Sequence, residues 1–123
     1  MKYYCMRYRL NITHSRDNNI LHAHAHVFEI TLFLEPKKTG FSEFGDIEET
    51  MNYVLGQFQN KYLNDYEIFE GNTSLENVGE VAWKLLCEAY DEEGKLEVDR
   101  LEISEIPTRI YVITKDDFKQ GFM

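Results

Sequence analysis

The 123-residue chain is predicted to fold as one α+β domain, residues 1–123, with the element order ββααββ. Two segments with alternating polarity open the chain, two segments with helical periodicity follow, and two further alternating segments lie near the end. Hairpins at both ends with two helices between them favour a four-stranded antiparallel sheet that carries both helices on one face.

The first two strands are predicted over residues 3–14 and 22–34, which alternate with a period of two and are separated by a polar turn at 15–19. The apolar face of the first strand ends at His14. One face of the second strand begins with His22, His24 and His26.

Apolar residues at helical spacing predict the two helices, the first from Ile47 to Phe58 and the second from Leu75 to Ala89. Thr73 followed by Glu76 predicts a capping box at the start of the second helix, and Gly94 predicts its end. Residues 101–105 and 110–113 alternate on either side of a turn, which predicts the closing hairpin.

Composition excludes several classes of protein. Hydrophobic residues make up 43% of the chain, too many for a disordered protein, and a net charge of −9 argues against nucleic acid as a partner. No apolar run approaches the roughly 20 residues that span a membrane, and Arg7 and Arg9 interrupt the region where a signal peptide would be apolar. Because Cys5 and Cys87 make no disulfide framework, we predict a cytoplasmic protein without a membrane partner.

All four histidines lie within thirteen residues, at positions 14, 22, 24 and 26. Alternate residues of a strand share a face, and a hairpin would bring His14 beside His24 and His26. Three neutral imidazoles with one open position are the usual arrangement of a catalytic zinc site, so we predict these three as ligands of Zn²⁺. The alternative is a group of polar histidines at a strand end without a metal. His22 lies further along and is left open as a fourth ligand, a proton shuttle or a surface residue.

Glu105 is an acidic residue on the otherwise apolar face of Leu101 and Ile103. A buried carboxylate without a partner is costly, so either the strand end reaches solvent there or Glu105 forms the floor of a pocket. In a pocket, the carboxylate could accept hydrogen bonds from two adjacent N–H groups, such as those of a 2-amino-4-oxopyrimidine ring.

Several stretches between Tyr8 and Thr114 together resemble the family of 6-pyruvoyl-tetrahydropterin synthase and 6-carboxytetrahydropterin synthase. Residues 24–28, HAHVF, look like the family's HGHNY motif, and His14 looks like the earlier histidine of its zinc triad. Residues 62–65 match its YLND stretch, and residues 72–77, NTSLEN, are similar to the N-P-T-x-E-N that opens its second helix. Ser104 and Glu105 look like the strand end whose glutamate holds the pterin ring.

The resemblance implies a tunnelling fold, in which ββααββ subunits join their sheets around a barrel, and a homohexamer with active sites between subunits. It implies a pterin-like ligand such as 7,8-dihydroneopterin triphosphate, with Glu105 and Ser74 as substrate-binding residues and Zn²⁺ on the three histidines. The implied activity is that of a carbon–oxygen lyase. Because an exposed sheet edge must be paired or protected, an oligomer agrees with the strand pattern.

The chain departs from the family where proton transfer is expected. The family's catalytic cysteine usually stands four residues before the HGH motif, and that position is Ile20. The Asp-His pair that usually precedes YLND is replaced by Gln59 and Asn60, and none of these side chains can act as a base. Cys5 lies about 30 Å along the strand from His14 and on the opposite face. His22 is the nearby titratable residue, and we predict it as the catalytic residue.

Three functions follow from these observations. The first is a zinc-dependent pterin synthase that uses His22 or metal-bound water in place of the cysteine. The second is a catalytically inactive homologue that binds zinc and a pterin or purine-like ring. The third is a structural hexamer whose zinc holds the first hairpin together.

Overall fold

The computed structural model describes residues 2–38 and 40–120; Met1, Thr39 and residues 121–123 of the predicted domain lie outside the described residues. The helices and strands in chain order are β1 (Tyr4–His14), β2 (His24–Pro36), α1 (Phe44–Leu55), β3 (Lys61–Tyr62), α2 (Leu75–Glu93), β4 (Leu96–Ile106), β5 (Arg109–Thr114) and α3 (Lys115–Gln120). The α+β class and both predicted hairpins are confirmed, and α3 is an addition that the sequence did not predict. None of the described helices is long and apolar enough to cross a membrane.

Within the described part of the chain the sheet has five strands in the order β3-β1-β2-β4-β5, so the prediction of four antiparallel strands was wrong. The additional strand, β3, is two residues long and pairs parallel to β1 at Ile12 and Thr13, which makes the sheet mixed. A two-residue strand is too short to show alternation. It is held by contacts distant in sequence, among them the hydrogen bond that the Asn60 N–H donates to the Asn11 carbonyl, 2.6 Å.

β4 begins at Leu96, five residues before the predicted start at Leu101. The prediction started late because a β-bulge interrupts the alternation in the first part of this strand. Arg100 is paired with Phe33 and Val98 with Leu34, so Asp99 is the extra residue. The buried positions of β4 are therefore 96, 98, 101 and 103. The interval of three residues between 98 and 101 interrupts the alternation that would otherwise predict a strand from Leu96.

Two local predictions need correction. Ser74, not Thr73, caps α2, because its Oγ accepts a hydrogen bond from the Asn77 N–H at 3.2 Å. Residues 20–22 form a 3₁₀ turn rather than the start of β2, so His22 does not share the strand face of His24. The predicted end of α2 is confirmed, since Gly94 has a φ of 74°, a conformation that glycine adopts at little cost.

The core lies between the sheet and the two long helices. From the sheet it contains Leu10, Phe28, Ile30, Leu32, Leu101 and Ile103, and from the helices Ile47, Met51, Leu55, Val78 and Leu86, all of them buried. The fully buried Phe28 packs edge-on against the ring of His14, with centroids 5.6 Å apart. The core therefore ends at the histidines, and it fixes the strand ends that carry them.

Two glycine substitutions in helices test the close packing of α2 on the sheet. A methyl group on Gly79 would lie 2.9 Å from Cγ2 of the buried Ile103, so we expect Gly79→Ala to lower the free energy of unfolding by about 1–3 kcal/mol. Gly45, in the first turn of α1, has open space around it, and Gly45→Ala is expected to raise that free energy by about 0.5 kcal/mol. Denaturant unfolding measures both, and effects of the same sign would contradict this packing.

Candidate metal centre

Three imidazoles meet where β1 ends and β2 begins. His14 lies opposite His24 in the register of the two strands, and His26 follows on the same face. The ring centroids are 4.6 Å apart for His14 and His24, 4.7 Å for His24 and His26, and 5.1 Å for His14 and His26. One ring nitrogen from each lies within 4.8 Å of the others. Nitrogens that share a tetrahedral zinc lie about 3.4 Å apart, a distance that small side-chain rotations would reach.

His14 is held in the tautomer that can bind a metal through Nε2. Its side chain is buried, and Nδ1 donates a hydrogen bond to the Thr73 carbonyl at 2.8 Å. Because a carbonyl can only accept, the proton is on Nδ1 and the lone pair is on Nε2. Burial lowers the pKa of His14, which favours the neutral ring. Nε2 is buried and has no hydrogen-bond partner among residues 2–38 and 40–120, so this lone pair is available to a metal.

The other two rings are also approached at Nδ1. Nδ1 of His24 lies 3.4 Å from the His22 carbonyl, and Nδ1 of His26 lies 3.7 Å from Oε2 of Glu105. Both contacts leave Nε2 available to a metal. In zinc sites, the ring nitrogen of a histidine that does not bind the metal commonly lies beside a carboxylate. Three imidazoles suit zinc and its transition-metal neighbours better than magnesium or calcium, so the residues present fit Zn²⁺.

A cavity of about 550 Å³ opens beside the triad. Its lining joins residues from the two ends of the chain and from the start of α2, namely His14, Arg16, His24, His26, Asn72, Thr73, Ser74, Leu75, Glu76, Glu105, Ile106 and Arg109. Glu105 and Ser74, both predicted from the sequence, therefore line the same cavity as the three histidines. Arg16 and Arg109 line it as well and were not predicted, because each is a single charged residue beside a turn, a position where charge is ordinary.

His22 lies outside this lining. It sits in the 3₁₀ turn with 63% of its side chain exposed, and its Nδ1 donates a hydrogen bond to the carboxylate of Asp17. That bond lowers the pKa of Asp17. The structure thus pairs His22 with an acidic residue that the sequence analysis treated only as part of a polar turn.

The structure also places Gln59 and Ile20, which stand where the family usually has proton-transfer residues, and the free thiol of Cys5. Oε1 of Gln59 accepts from the Asn11 N–H at 2.6 Å, and its Nε2 donates to the Arg9 carbonyl at 3.1 Å, so this side chain covers part of the free edge of β1. Ile20 is 64% exposed in the turn that contains His22. Cys5 is exposed and paired in register with Phe33, at the opposite end of β1 from His14.

A second cavity, of about 1080 Å³, lies between α1 and the C-terminal end of α2. Its described lining, which includes Phe41, Tyr53 and Glu93, contains no histidine or cysteine. Of these two cavities, the smaller is therefore the one lined by histidines.

The fold and the three histidines define a candidate metalloprotein whose site is built on a β-hairpin and covered by the start of a helix. The family model described as 6-pyruvoyl tetrahydropterin synthase matches residues 1–116, and the chain belongs to this family. A search of curated proteins found no match to the chain.

Solved structures share the fold at low sequence identity. The 6-pyruvoyl tetrahydropterin synthase of Caenorhabditis elegans superimposes with a TM-score of 0.70 at 16% identity, over 93% of this chain and 96% of that one. The Plasmodium falciparum synthase gives 0.67 at 13% identity, over 93% and 97%. An uncharacterized protein from Wolinella succinogenes gives 0.62 at 11% identity, over 94% and 99%.

Proposed function

We propose that this chain is a zinc-dependent, pterin synthase-like protein that holds Zn²⁺ on His14, His24 and His26 and takes 7,8-dihydroneopterin triphosphate or a similar pterin in the adjoining cavity. The observation that carries the metal is the buried Nε2 of His14, which has no hydrogen-bond partner in the described part of the chain. Bound zinc would supply Lewis acidity toward a substrate hydroxyl or carbonyl.

The charges of the cavity support a pterin that carries phosphate. The carboxylate of Glu105 can accept hydrogen bonds from two adjacent N–H groups of the ring, and Ser74 lies in the same lining. Arg16 and Arg109 give this part of an otherwise acidic chain two guanidinium groups, which bind phosphate oxygens well.

His22 is the proposed catalytic residue, with Asp17 as the residue that orients it. The Asp17 carboxylate accepts from Nδ1, which leaves the lone pair of Nε2 free to take a proton. The ring stands in an exposed turn two residues before His24, one of the residues that line the cavity.

A second candidate function is binding of zinc and a pterin or purine-like ring without turnover. It is favoured by Gln59, whose amide is occupied at the edge of β1, and by Ile20, which offers no ionisable group. The two candidates share the metal and the ring, and they differ only in whether product forms.

Assembly into a homohexamer in the cytoplasm belongs to the same proposal. β3 pairs with β1 only at Ile12 and Thr13, Gln59 bonds to Asn11 and Arg9, and β5 is the opposite edge of the sheet. Edges that are paired over only part of their length are suited to pairing between copies of the chain, as in a barrel of joined sheets. The third hypothesis, a purely structural hexamer, would use the same sheet edges but would not require ring binding by Glu105.

Ring binding is tested by removing the charge of Glu105 alone. We expect Glu105→Gln to lower the affinity of the zinc-loaded protein for neopterin by about 10-fold or more, since hydrogen bonds to a charged group contribute about 1.5–3 kcal/mol. Glu29→Gln is the matched control, because Glu29 alternates with the buried Phe28 and Ile30 and so lies on the other face of the sheet. Calorimetric titration of both variants measures the effect, and equal affinities for wild type and Glu105→Gln would contradict ring recognition by Glu105.

A further inference from the structure

We propose that Asn64 is a positioning residue of the metal centre, acting through Ser15 and Thr73 to fix the ring of His14. The inference rests on the proposed metal function of His14 and adds to it a residue whose side-chain hydrogen bonds go to Ser15, Asn18 and Thr73 and which lies outside the cavity lining. Asn64 belongs to the YLND stretch, and Thr73 belongs to the NTSLEN stretch.

The side-chain amide of Asn64 uses its full hydrogen-bonding capacity. Oδ1 accepts from the Ser15 N–H at 3.0 Å and from the Thr73 hydroxyl at 3.1 Å. Nδ2 donates to the Ser15 carbonyl and to Oδ1 of Asn18, both at 3.0 Å. An asparagine amide has two donors and two acceptor sites, so none is left over. A fully satisfied amide of this kind holds its partners in one arrangement.

Two of these partners, Ser15 and Thr73, are directly connected to His14. Ser15 follows His14 in the chain, and the amide binds both its N–H and its carbonyl, as a neighbouring strand would. Thr73 carries the carbonyl that accepts the Nδ1 proton of His14. Asn64 therefore fixes the backbone that carries the ligand and, through the Thr73 hydroxyl, the segment whose carbonyl fixes its tautomer.

Burial makes this arrangement specific. Ser15 is 0% exposed and Thr73 is 3% exposed, so water cannot easily replace a lost amide. Tyr62 adds a further contact, since its hydroxyl lies 2.6 Å from Oγ of Ser15. The two sequence stretches thus meet at the residue that follows His14.

The start of α2 has separate support, which provides a control. Nδ2 of Asn77 donates to the Phe69 carbonyl at 3.2 Å and to the Asn72 carbonyl at 2.6 Å. Asn77→Ala therefore removes two hydrogen bonds to backbone carbonyls in the same region, and neither of them involves Ser15 or Thr73.

The experiment measures the His14 tautomer and zinc affinity in parallel. In ¹⁵N-histidine spectra of the metal-free protein, we expect one Nδ1–H tautomer of His14 in wild type and in Asn77→Ala, and a mixture in Asn64→Ala. Competition with a chromophoric chelator should show about a 10-fold or larger loss of zinc affinity for Asn64→Ala and none for Asn77→Ala, in the range known for residues that support metal ligands.

Thr73→Val guards against a failure of Asn64→Ala to fold, because it removes only the hydroxyl and keeps the carbonyl. We expect Thr73→Val to shift the tautomer in the same direction and Thr73→Ser, which restores a hydroxyl, to behave as wild type. A single unchanged tautomer in both Asn64→Ala and Thr73→Val would overturn the role of Asn64. A wild-type protein with the Nδ1–H tautomer but no zinc binding would overturn the metal function and leave the positioning of His14 standing.

Discussion

Replacing His24 with alanine is expected to lower zinc affinity by roughly 100- to 1,000-fold, since a four-ligand zinc site gains about 10–16 kcal/mol in all, or about 3 kcal/mol for each ligand. His24 is the ligand of choice because it is exposed, whereas His14 is buried against Phe28 and its loss would also disturb the core. Metal-free His24→Ala is therefore expected to unfold at the temperature of the metal-free wild type. Equilibrium competition with a chelator measures the affinity.

His22 supplies the matched control for this prediction. It is another exposed histidine, two residues away, but it hydrogen-bonds to Asp17 and lies outside the cavity lining. We expect His22→Ala to retain wild-type zinc affinity. A loss as large as that of His24→Ala would make His22 a ligand and contradict the site of three histidines.

The second large effect is expected on the turnover rate of the His22→Ala variant. If the chain acts on 7,8-dihydroneopterin triphosphate, His22→Ala is expected to lower the rate of triphosphate release by at least about 100-fold, since a general base contributes about 10² to 10⁴. Asp17→Asn should lower the rate less, because an amide oxygen still accepts from Nδ1 of His22 but does not stabilise a charged ring. Zinc affinity and neopterin affinity should be retained in both variants.

Two outcomes of the turnover assay have distinct meanings. Product formation that is unchanged in His22→Ala would contradict the role of His22 as the base. Neopterin binding by the zinc-loaded wild type with no product at all would favour the second candidate, a binding protein without turnover.

The grouping of His14, His24 and His26 on one face could be predicted from the sequence, because alternation fixes which side chains share a face and a hairpin fixes which strand ends meet. The same reasoning failed where local rules compete. Asp99 breaks the period of β4 with a bulge, and Ser74 rather than Thr73 caps α2 because the Thr73 hydroxyl bonds to Asn64.

Residues that act across long stretches of chain were missed. Asn64 lies 49 residues from Ser15, and β3 lies 49 residues from its partners in β1, so no periodicity signals either contact. Arg109 shares a cavity with Arg16 only once the sheet is assembled.

His22 was placed on a strand face from alternation alone, whereas the Asn19 cap and the Asp17 carboxylate hold it in a turn.

X-ray absorption at the zinc edge, on protein loaded with one equivalent of zinc, tests the metal centre most directly. We expect three imidazole nitrogens at about 2.0–2.1 Å in wild type, falling to two in His24→Ala. A zinc shell that contains sulfur at about 2.3 Å, or a wild-type protein that retains no zinc after gel filtration, would contradict a site formed by His14, His24 and His26.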